Sequence, residues 1–441
     1  MQPLLAITGI LTRASEAKEK TEEAQEKEGL ELAVTSSQME DVNTLEITEE
    51  KLSNAIKQQF GNDKDFSITD NRDGSFLVSM NDTQRMYYID ETGKIIDKIL
   101  KISTADELKS FRDDVNSGNT YEGWYVYLAN DITLDINEEW EPIGSNENNI
   151  FRAIFDGKNF TISNIVSTAL FDCQGMFGFN NGIIKNLSVS GNIKGQNYIG
   201  GICGRNEGGT ITNCKNFISI EANANYVGGI TGRNSSTGVI KNCYNNQIVK
   251  GKELVGGITG ESNGGPVTNC CNIENIEGEK YIGGIIGRSR NKTSIEMCYN
   301  SGEIKGDYQV AGIIGFILEE GTIKNCYNTG NIVGVYTGIG GIVGINGGII
   351  WKCYNIGSIV GTDSVGAISG RNDMSVEDCY CPTNITLDGS QSENTKYSVE
   401  RLNDEQMKSL QFVEILNNGQ NNNIWKIDTN LNDSYPILQW Q

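Results

Sequence analysis

The chain has 441 residues, of which 52 are glycine and only 5 are proline, and its formal net charge is −21. A chain this acidic repels a phosphate backbone, so nucleic-acid binding is disfavoured. It has no histidine, which excludes Ser-His-Asp and Cys-His catalysis and every histidine-ligated metal site. Its 11 cysteines form no CxxC pair, so we expect no metal and no cofactor. Carboxylate-only chemistry, as in glycosidases, is not excluded.

The first predicted element is a polar helix at residues 12–36, in which Ala, Glu and Lys recur at i,i+4 spacing. A second helix is predicted at Thr48–Gln59, followed by an antiparallel meander with turns near residues 71–74, 81–83 and 90–93. This region resembles the later half of a prepilin-like protein of Gram-positive bacteria. In such proteins an apolar membrane helix continues into an Ala/Glu/Lys-rich helix and a small α+β head.

That resemblance implies a stem at residues 1–36 and a small α+β, pilin-like domain at 37–100. It also implies an apolar helix of about 20 residues that is missing before Gly9 and would make the only membrane contact. In the full-length form a pilus-like assembly would follow. Because residues 12–36 are nearly all polar, they have little face to bury, and we expect residues 1–36 to be loosely packed.

A tetrad of the form Gly-Ile-x-Gly dominates the rest of the chain. It begins as Gly-Met-Phe-Gly at residue 175, recurs at 201, 229, 257, 284, 312 and 341, and degenerates to Ala-Ile-Ser-Gly at 367. Each repeat contains three short β-branched segments that are too short for helices. Such a unit cannot bury its own apolar face. We therefore predict that the units stack about 4.8 Å apart as an all-β, right-handed parallel β-helix, or solenoid.

The repeat sorts residues into columns that are predicted to stack. Seven cysteines share one position, where we expect buried apolar fillers: Cys214, Cys243, Cys270, Cys298, Cys326, Cys353 and Cys379. A column of isoleucines is predicted to line the interior: Ile202, Ile230, Ile258, Ile285, Ile313, Ile342 and Ile368. Asparagines just before the cysteines, as at Asn242, are predicted to form a left-handed corner.

The tetrads and the Asn-Cys-Tyr-Asn element that follows them resemble GLUG-motif repeats. These repeats are known from bacterial surface and adhesin-like proteins and from regions of secreted IgA peptidases. The resemblance covers residues 101–441, with the β-helix at 101–386, GLUG-like repeats at about 174–381 and a C-terminal cap at 387–441. Helices at 103–118 and 404–419 and strands near 425 and 435–440 are predicted end caps. The motif implies no catalytic residues.

Two further columns are candidate ligand-binding residues. A file of tyrosines follows the cysteines and is broken at Lys215 and Cys271: Tyr244, Tyr299, Tyr327, Tyr354 and Tyr380. These rings would face outward and stack on sugars, or would form a ladder that only stabilises the solenoid. The second column would be a strip for an anionic glycan, or a set of solvated turn positions: Arg205, Arg233, Arg288 and Arg371, with Glu261 replacing arginine once.

The predicted function is a non-catalytic module at the cell surface or outside the cell, adhesin-like or pilin-like, that binds a glycan or a host or surface protein. The alternative is a carbohydrate-active β-helix enzyme, a polysaccharide lyase or hydrolase that uses carboxylates. Such an enzyme should interrupt its repeat with long loops carrying clustered Asp, Lys or Arg. The tetrad positions leave repeats of only 26 to 29 residues, so we expect that the chain is not an enzyme.

Overall fold

The structure, a computed structural model, describes residues 2–39, 45–168, 171–223, 225–388 and 397–441. The chain divides into two compact units. The smaller comprises residues 1–101 with 123–126, and the larger comprises residues 102–122 with 127–441.

The smaller unit contains two helices and an antiparallel sheet. Helix α1 spans Gln2–Met39, and helix α2 spans Glu49–Phe60 with Thr48 as its N-cap. The four strands pair in chain order: Phe66–Asp70, Phe76–Met80, Arg85–Ile89 and Ile95–Ile96. A further strand follows at Ile99–Ile102. The predicted helix and meander are confirmed.

Helix α1 changes character along its length. Residues 12–25 are exposed, whereas Leu30, Ala33 and Val34 are buried in the core of this unit. Glu26 is also buried, and it accepts a hydrogen bond from the Tyr87 hydroxyl at 3.0 Å. It also forms ion pairs with a lysine and an arginine and accepts a hydrogen bond from a threonine hydroxyl. The expectation that the whole helix has little face to bury is therefore wrong for its second half.

The larger unit begins with helix α3, Ala105–Asn116, whose N-cap Thr104 forms a capping box with Glu107. This is the N-terminal cap helix that the sequence predicts. Strands Tyr125–Leu128 and Ile132–Thr133 follow, and parallel ladders then run to the end of the solenoid.

Five parallel ladders form the solenoid, and each coil passes through them in the order 1 to 5. Ladder 1 is Asn197–Gly200, Asn225–Gly228, Glu253–Gly256, Lys280–Gly283, Tyr308–Ala311, Thr337–Gly340 and Asp363–Gly366. Ladder 2 is Phe177–Asn180, Cys203–Asn206, Thr231–Asn234, Thr259–Asn263, Ile286–Arg290, Ile314–Ile317, Val343–Asn346 and Ser369–Asn372. Ladder 3 is Ile154–Asp156, Ile183–Lys185, Thr210–Thr212, Val239–Lys241, Val267–Thr268, Ser294–Glu296, Thr322–Lys324, Ile349–Trp351 and the start of Ser375–Pro382.

Ladders 4 and 5 are continuous strands in the first coils and separate strands later. Ladder 4 is Thr161–Ser167, Ser188–Ile193, Lys215–Glu221, Tyr244–Asn245, Cys271–Asn272, Tyr299–Asn300, Tyr327–Asn328, Tyr354–Asn355, the end of Ser375–Pro382 and Tyr397–Leu402. Ladder 5 is Val249–Lys250, Ile276–Glu277, Ile304–Gly306, Ile332–Gly334, Ile359–Val360 and Leu387–Asp388. The predicted parallel β-solenoid is confirmed, with more and shorter strands per coil than the three expected.

The interior is built from the predicted columns. The isoleucine column is at most 1% exposed and is held in register by backbone bonds such as Ile202 N–H to Ile230 O, 3.0 Å. The corner asparagines adopt the predicted left-handed conformation; φ is 53° at Asn242 and 52° at Asn269. A second ladder of asparagines, buried and joined by side-chain hydrogen bonds, was not predicted: Asn216, Asn245, Asn272, Asn300, Asn328 and Asn355. It explains the first glycine of the tetrad, because a Cβ at Gly201 would lie 2.0 Å from Asn216 Oδ1.

The C-terminal segment, residues 403–441, packs along the side of the solenoid. It contains helices α4, Asp404–Met407, and α5, Leu410–Asn417, then a two-stranded antiparallel pair at Trp425–Lys426 and Ile437–Leu438. A 3₁₀ turn spans Asn432–Ser434. The helical and strand content was predicted, but the segment covers the tyrosine file of ladder 4 and does not simply plug the last coil.

Candidate ligand-binding groove

The seven cysteines of the repeat point into the solenoid and are at most 1% exposed. The thiol of Cys298 lies 3.7 Å from the carbonyl oxygen of Val267 in the coil before, and burial raises its pKa well above the usual range. All eleven cysteines are free. The column therefore consists of small buried fillers, as predicted, and the residue after each cysteine faces outward.

That outward residue forms one file along ladder 4. Tyr244 pairs with Cys271, Cys271 with Tyr299, and Tyr299 with Tyr327. The rings of Tyr299, Tyr327 and Tyr354 stack with successive centroid distances of 5.0 Å and interplanar angles of 5° and 8°. This part of the file is an aromatic ladder of the kind that stabilises a sheet.

The C-terminal segment covers the later tyrosines. Tyr327, Tyr354 and Tyr380 are at most 5% exposed and lie in one apolar cluster with Phe412 and Trp425. The Tyr354 hydroxyl donates to the carbonyl oxygen of Pro436 and accepts from an amide of the same segment. Because this segment occupies the outward faces of Tyr354 and Tyr380, the structure favours the second alternative, a stabilising ladder, for this part of the file.

Where this covering ends, an open groove of about 1120 Å³ begins. Both breaks in the tyrosine file lie in it: Lys215 pairs with Tyr244 on one side, and Cys271 separates Tyr244 from Tyr299 on the other. A cysteine is too small to continue the stack of rings. Tyr244 and Tyr299, which are half-buried, and the edge of the buried Tyr327 are the candidate tyrosines that line this groove.

Two further aromatic residues complete the walls. The Trp440 ring centroid is 5.7 Å from that of Tyr299, and its indole N–H donates to the carbonyl oxygen of Met297 at 3.0 Å. Phe217 meets Tyr244 edge-on at 6.4 Å. Burial raises the pKa of Tyr244 and of Tyr299, and the neighbouring Cys271 thiol adds to the shift at Tyr299. Both phenols are therefore neutral hydrogen-bonding groups at neutral pH.

The polar lining consists of amides, hydroxyls and two cations. Asn269 Nδ2 donates to Asn242 Oδ1 at 3.0 Å, and these corner amides form one wall. The other polar groups of the lining are Asn246, Ser301, Thr329, Asn432 and Gln441. Lys215 and Lys241 are exposed, and they are the only charged side chains among the described residues that line the groove.

The arginine column does not form an open cationic strip. Each arginine is paired with a carboxylate: Arg205 with Glu147 and Glu207, Arg233 and Arg288 with Glu261, and Arg371 with Asp373. Glu261, which replaces arginine in the column, is only 3% exposed. Because the column carries its own counterions, the structure favours the alternative in which these arginines are structural turn positions.

A second cavity, of about 440 Å³, contains carboxylates. Glu139, Glu141 and Asp172 line it together with Trp140. Glu139 accepts a hydrogen bond from the Thr168 backbone, and Asp172 accepts one from an asparagine amide at 3.0 Å. This cavity, and not the groove, holds the residue type that the carbohydrate-active alternative needs.

Neither a metal centre nor a membrane span emerges from the described part of the chain. Its Cys, Asp and Glu side chains form no group of three or more that could hold a metal ion. None of its helices is long and apolar enough to cross a membrane.

The fold and its repeats define a parallel β-solenoid that carries the GLUG motif. The GLUG motif model matches residues 195–221, which form most of one coil, and the solenoid as a whole fits a GLUG repeat protein. No curated protein matches the chain.

Two solved structures are similar in fold. One is a candidate immunoglobulin A1 protease from Bacteroides ovatus, 23% identical, with a TM-score of 0.42, covering 77% of this chain and 92% of that chain. The other, named IgA1 protease, is 14% identical, with a TM-score of 0.41; the match covers 77% of this chain but 27% of that one.

These names correct one expectation. Both similar structures bear the name of an enzyme. The prediction that the chain is not an enzyme is therefore wrong, because it excluded the class of protein that these structures are named for. At this level of similarity the names assign this chain neither a reaction nor a catalytic residue.

Proposed function

We propose that the chain is a surface or extracellular, adhesin-like binding module whose ligand is a carbohydrate held in the ladder-4 groove. The observation that carries the proposal is the pair of breaks in the tyrosine file. They leave Phe217, Tyr244, Tyr299 and Trp440 around one open groove. Aromatic faces pack against the C–H faces of pyranose rings, while amides and hydroxyls bind sugar hydroxyls.

An extracellular location is compatible with the state of the cysteines. All eleven are buried, so an oxidising medium meets no exposed thiol. The exposed first half of α1, residues 12–25, supports a pilin-like role for the smaller unit, because a long exposed helical stretch offers a surface for assembly with another chain.

A glycan array followed by calorimetric titration tests the carbohydrate proposal. Trp440→Ala should weaken binding about tenfold, since loss of a tryptophan contact commonly costs more than 1 kcal/mol. Tyr308→Ala is the matched control: Tyr308 and Trp440 are both 38% exposed, but Tyr308 does not line the groove. Binding of no glycan, or binding that Trp440→Ala leaves unchanged, would contradict the proposal. Binding to a host protein alone would do so as well.

A further inference from the structure

The groove has a charge opposite to that of the rest of the molecule. The whole chain carries 57 acidic and 36 basic residues, yet Lys215 and Lys241 are the only charged side chains among the described residues of the groove lining. Neither lysine has an ion-pair partner among the described residues. This differs from the arginine column, in which each guanidinium is paired with a carboxylate.

The position of Lys215 connects this charge to the aromatic surface. Lys215 occupies the tyrosine position of its coil, directly beside Tyr244 in ladder 4. Lys241 lies in ladder 3 next to Thr212 and Thr268 and also lines the groove. A ring that stacks on Tyr244 therefore has an ammonium group at its edge, where substituents of a pyranose project.

We infer that the ligand of the groove is an acidic glycan, whose pyranose ring packs on Tyr244 and Tyr299 while its carboxylate or sulfate group binds Lys215 and Lys241. The inference rests on the proposed carbohydrate binding and names the class of sugar. The net charge of the protein does not prevent this. At physiological salt, interactions between exposed charges are screened beyond about 8 Å, so the contacting lysines determine the local attraction.

The test compares charged and uncharged forms of one sugar chain. The probes are a short oligogalacturonate, its fully methyl-esterified form, a sulfated galacto-oligosaccharide and its unsulfated form. Polyglutamate serves as a negatively charged chain without pyranose rings. We expect each charged sugar to bind about tenfold tighter than its uncharged form, the gain expected from two exposed ion pairs. Affinity should fall with added salt, and polyglutamate should not bind. The preferred charged sugar identifies the anionic group as carboxylate or sulfate.

The double variant Lys215→Gln/Lys241→Gln should remove that preference and leave binding of the uncharged sugar intact. The control Lys194→Gln/Lys292→Gln changes the net charge equally at two exposed lysines outside the groove lining, and should leave the preference unchanged. Equal binding of charged and uncharged sugars, still weakened about tenfold in Trp440→Ala, would overturn this inference while the carbohydrate proposal stands. Equal binding of polyglutamate also overturns it. Binding of none of the sugars overturns both.

Discussion

Residues that depart from the repeat create the groove. Most coils place tyrosine after the column cysteine, and over three successive coils, at Tyr299, Tyr327 and Tyr354, the file is a closed stack with rings 5.0 Å apart. Lys215 and Cys271 occupy the same position in two coils on either side of Tyr244. The exceptions in the column, more than its regular members, therefore mark the candidate site.

Cys271→Tyr should close the groove. A tyrosine there would stand between Tyr244 and Tyr299 at the ordinary spacing of about 4.8 Å and complete the stack. We expect thermal stability to be unchanged or raised and glycan binding to be lost, as measured by melting and titration. Cys271→Ala, which keeps the gap, should bind like the wild type. Wild-type affinity in Cys271→Tyr would show that the gap does not hold the ligand.

Cys298 tests the interior of the same coils. Because it is fully buried, Cys298→Val should keep the fold at a cost of roughly 1 kcal/mol. Cys298→Asp should cost far more, since a buried carboxylate would find no partner. Urea denaturation measures both variants. Equal midpoints for the two would mean that the column is not packed as described.

At the scale of elements, the C-terminal segment both protects the ladder and forms the site. Its cluster covers Tyr327, Tyr354 and Tyr380, while Trp440 at its end forms one wall of the groove. Stability and binding are therefore linked through one segment. A substitution in the apolar cluster of this segment should therefore have two effects at once: it should expose the covered tyrosines and displace Trp440 from the groove.

Phe412→Ala tests this link. Phe412 is 1% exposed and lies 5.0 Å from Tyr380, ring to ring, so its loss should cost about 3–5 kcal/mol. Leu410→Ala, in the same helix but at a side chain 72% exposed, should be nearly neutral. The free energy of unfolding is measured by denaturation, and the exposure of the tyrosines by quenching of their fluorescence. No difference between the two variants would contradict the covering role of the segment.

Helix α1 should show two levels of amide hydrogen exchange. Residues 26–38 pack on the sheet and α2 through Leu30, Ala33 and Val34, and their amides should exchange slowly. Residues 12–25 are exposed and should exchange quickly in the monomer, because a helix without packing is marginal in water. Strong protection through residues 12–25 in the monomer would contradict the pilin-like proposal for this surface.

Periodicity determined how much of the whole molecule could be predicted. The isoleucine and cysteine columns and the asparagine corner follow from the repeat, since identical coils must stack identically. The contact between Trp440 and Tyr299 has no periodic signal, because a non-repeating segment makes it by folding back. The ion pairs of the arginine column have no periodic signal either, because some of their carboxylates, such as Glu147 and Asp373, lie outside the column. In α1 the signal existed, as Leu30, Ala33 and Val34 are spaced i, i+3, i+4, but polar composition obscured it.

The stability of the whole molecule should fall at alkaline pH. Burial raises the pKa of Cys173 and Cys271 to about 12 and of Cys381 to about 11, whereas an unfolded thiol titrates near pH 8.5. At these three positions the folded state thus favours the neutral thiol. This contribution is complete below about pH 8.5 and is lost as the pH rises towards the folded values, by roughly 1 kcal/mol per thiol and pH unit.

Urea midpoints measured under reducing conditions from pH 6 to 10 would test this pH dependence. The curve should be level to about pH 8 and then descend, and Cys271→Ala/Cys381→Ala should descend less steeply. A midpoint that rises above pH 8.5 would show that the thiols are not buried as neutral groups.

The C-terminal segment also has a mechanical consequence. A solenoid pulled from its end can peel one coil at a time, because each coil is bonded only to its neighbours. In this chain, residues of the segment bond to several coils at once: Gln420 to Asn325, Gln441 to Tyr327, and Asn432 to Tyr354. The segment therefore acts as a clasp, and the last coils must release it before the first of them can unravel. Tension applied to the end of the chain would therefore act first on these contacts of the C-terminal segment and on Trp440, and only afterwards on the hydrogen bonds of the ladders.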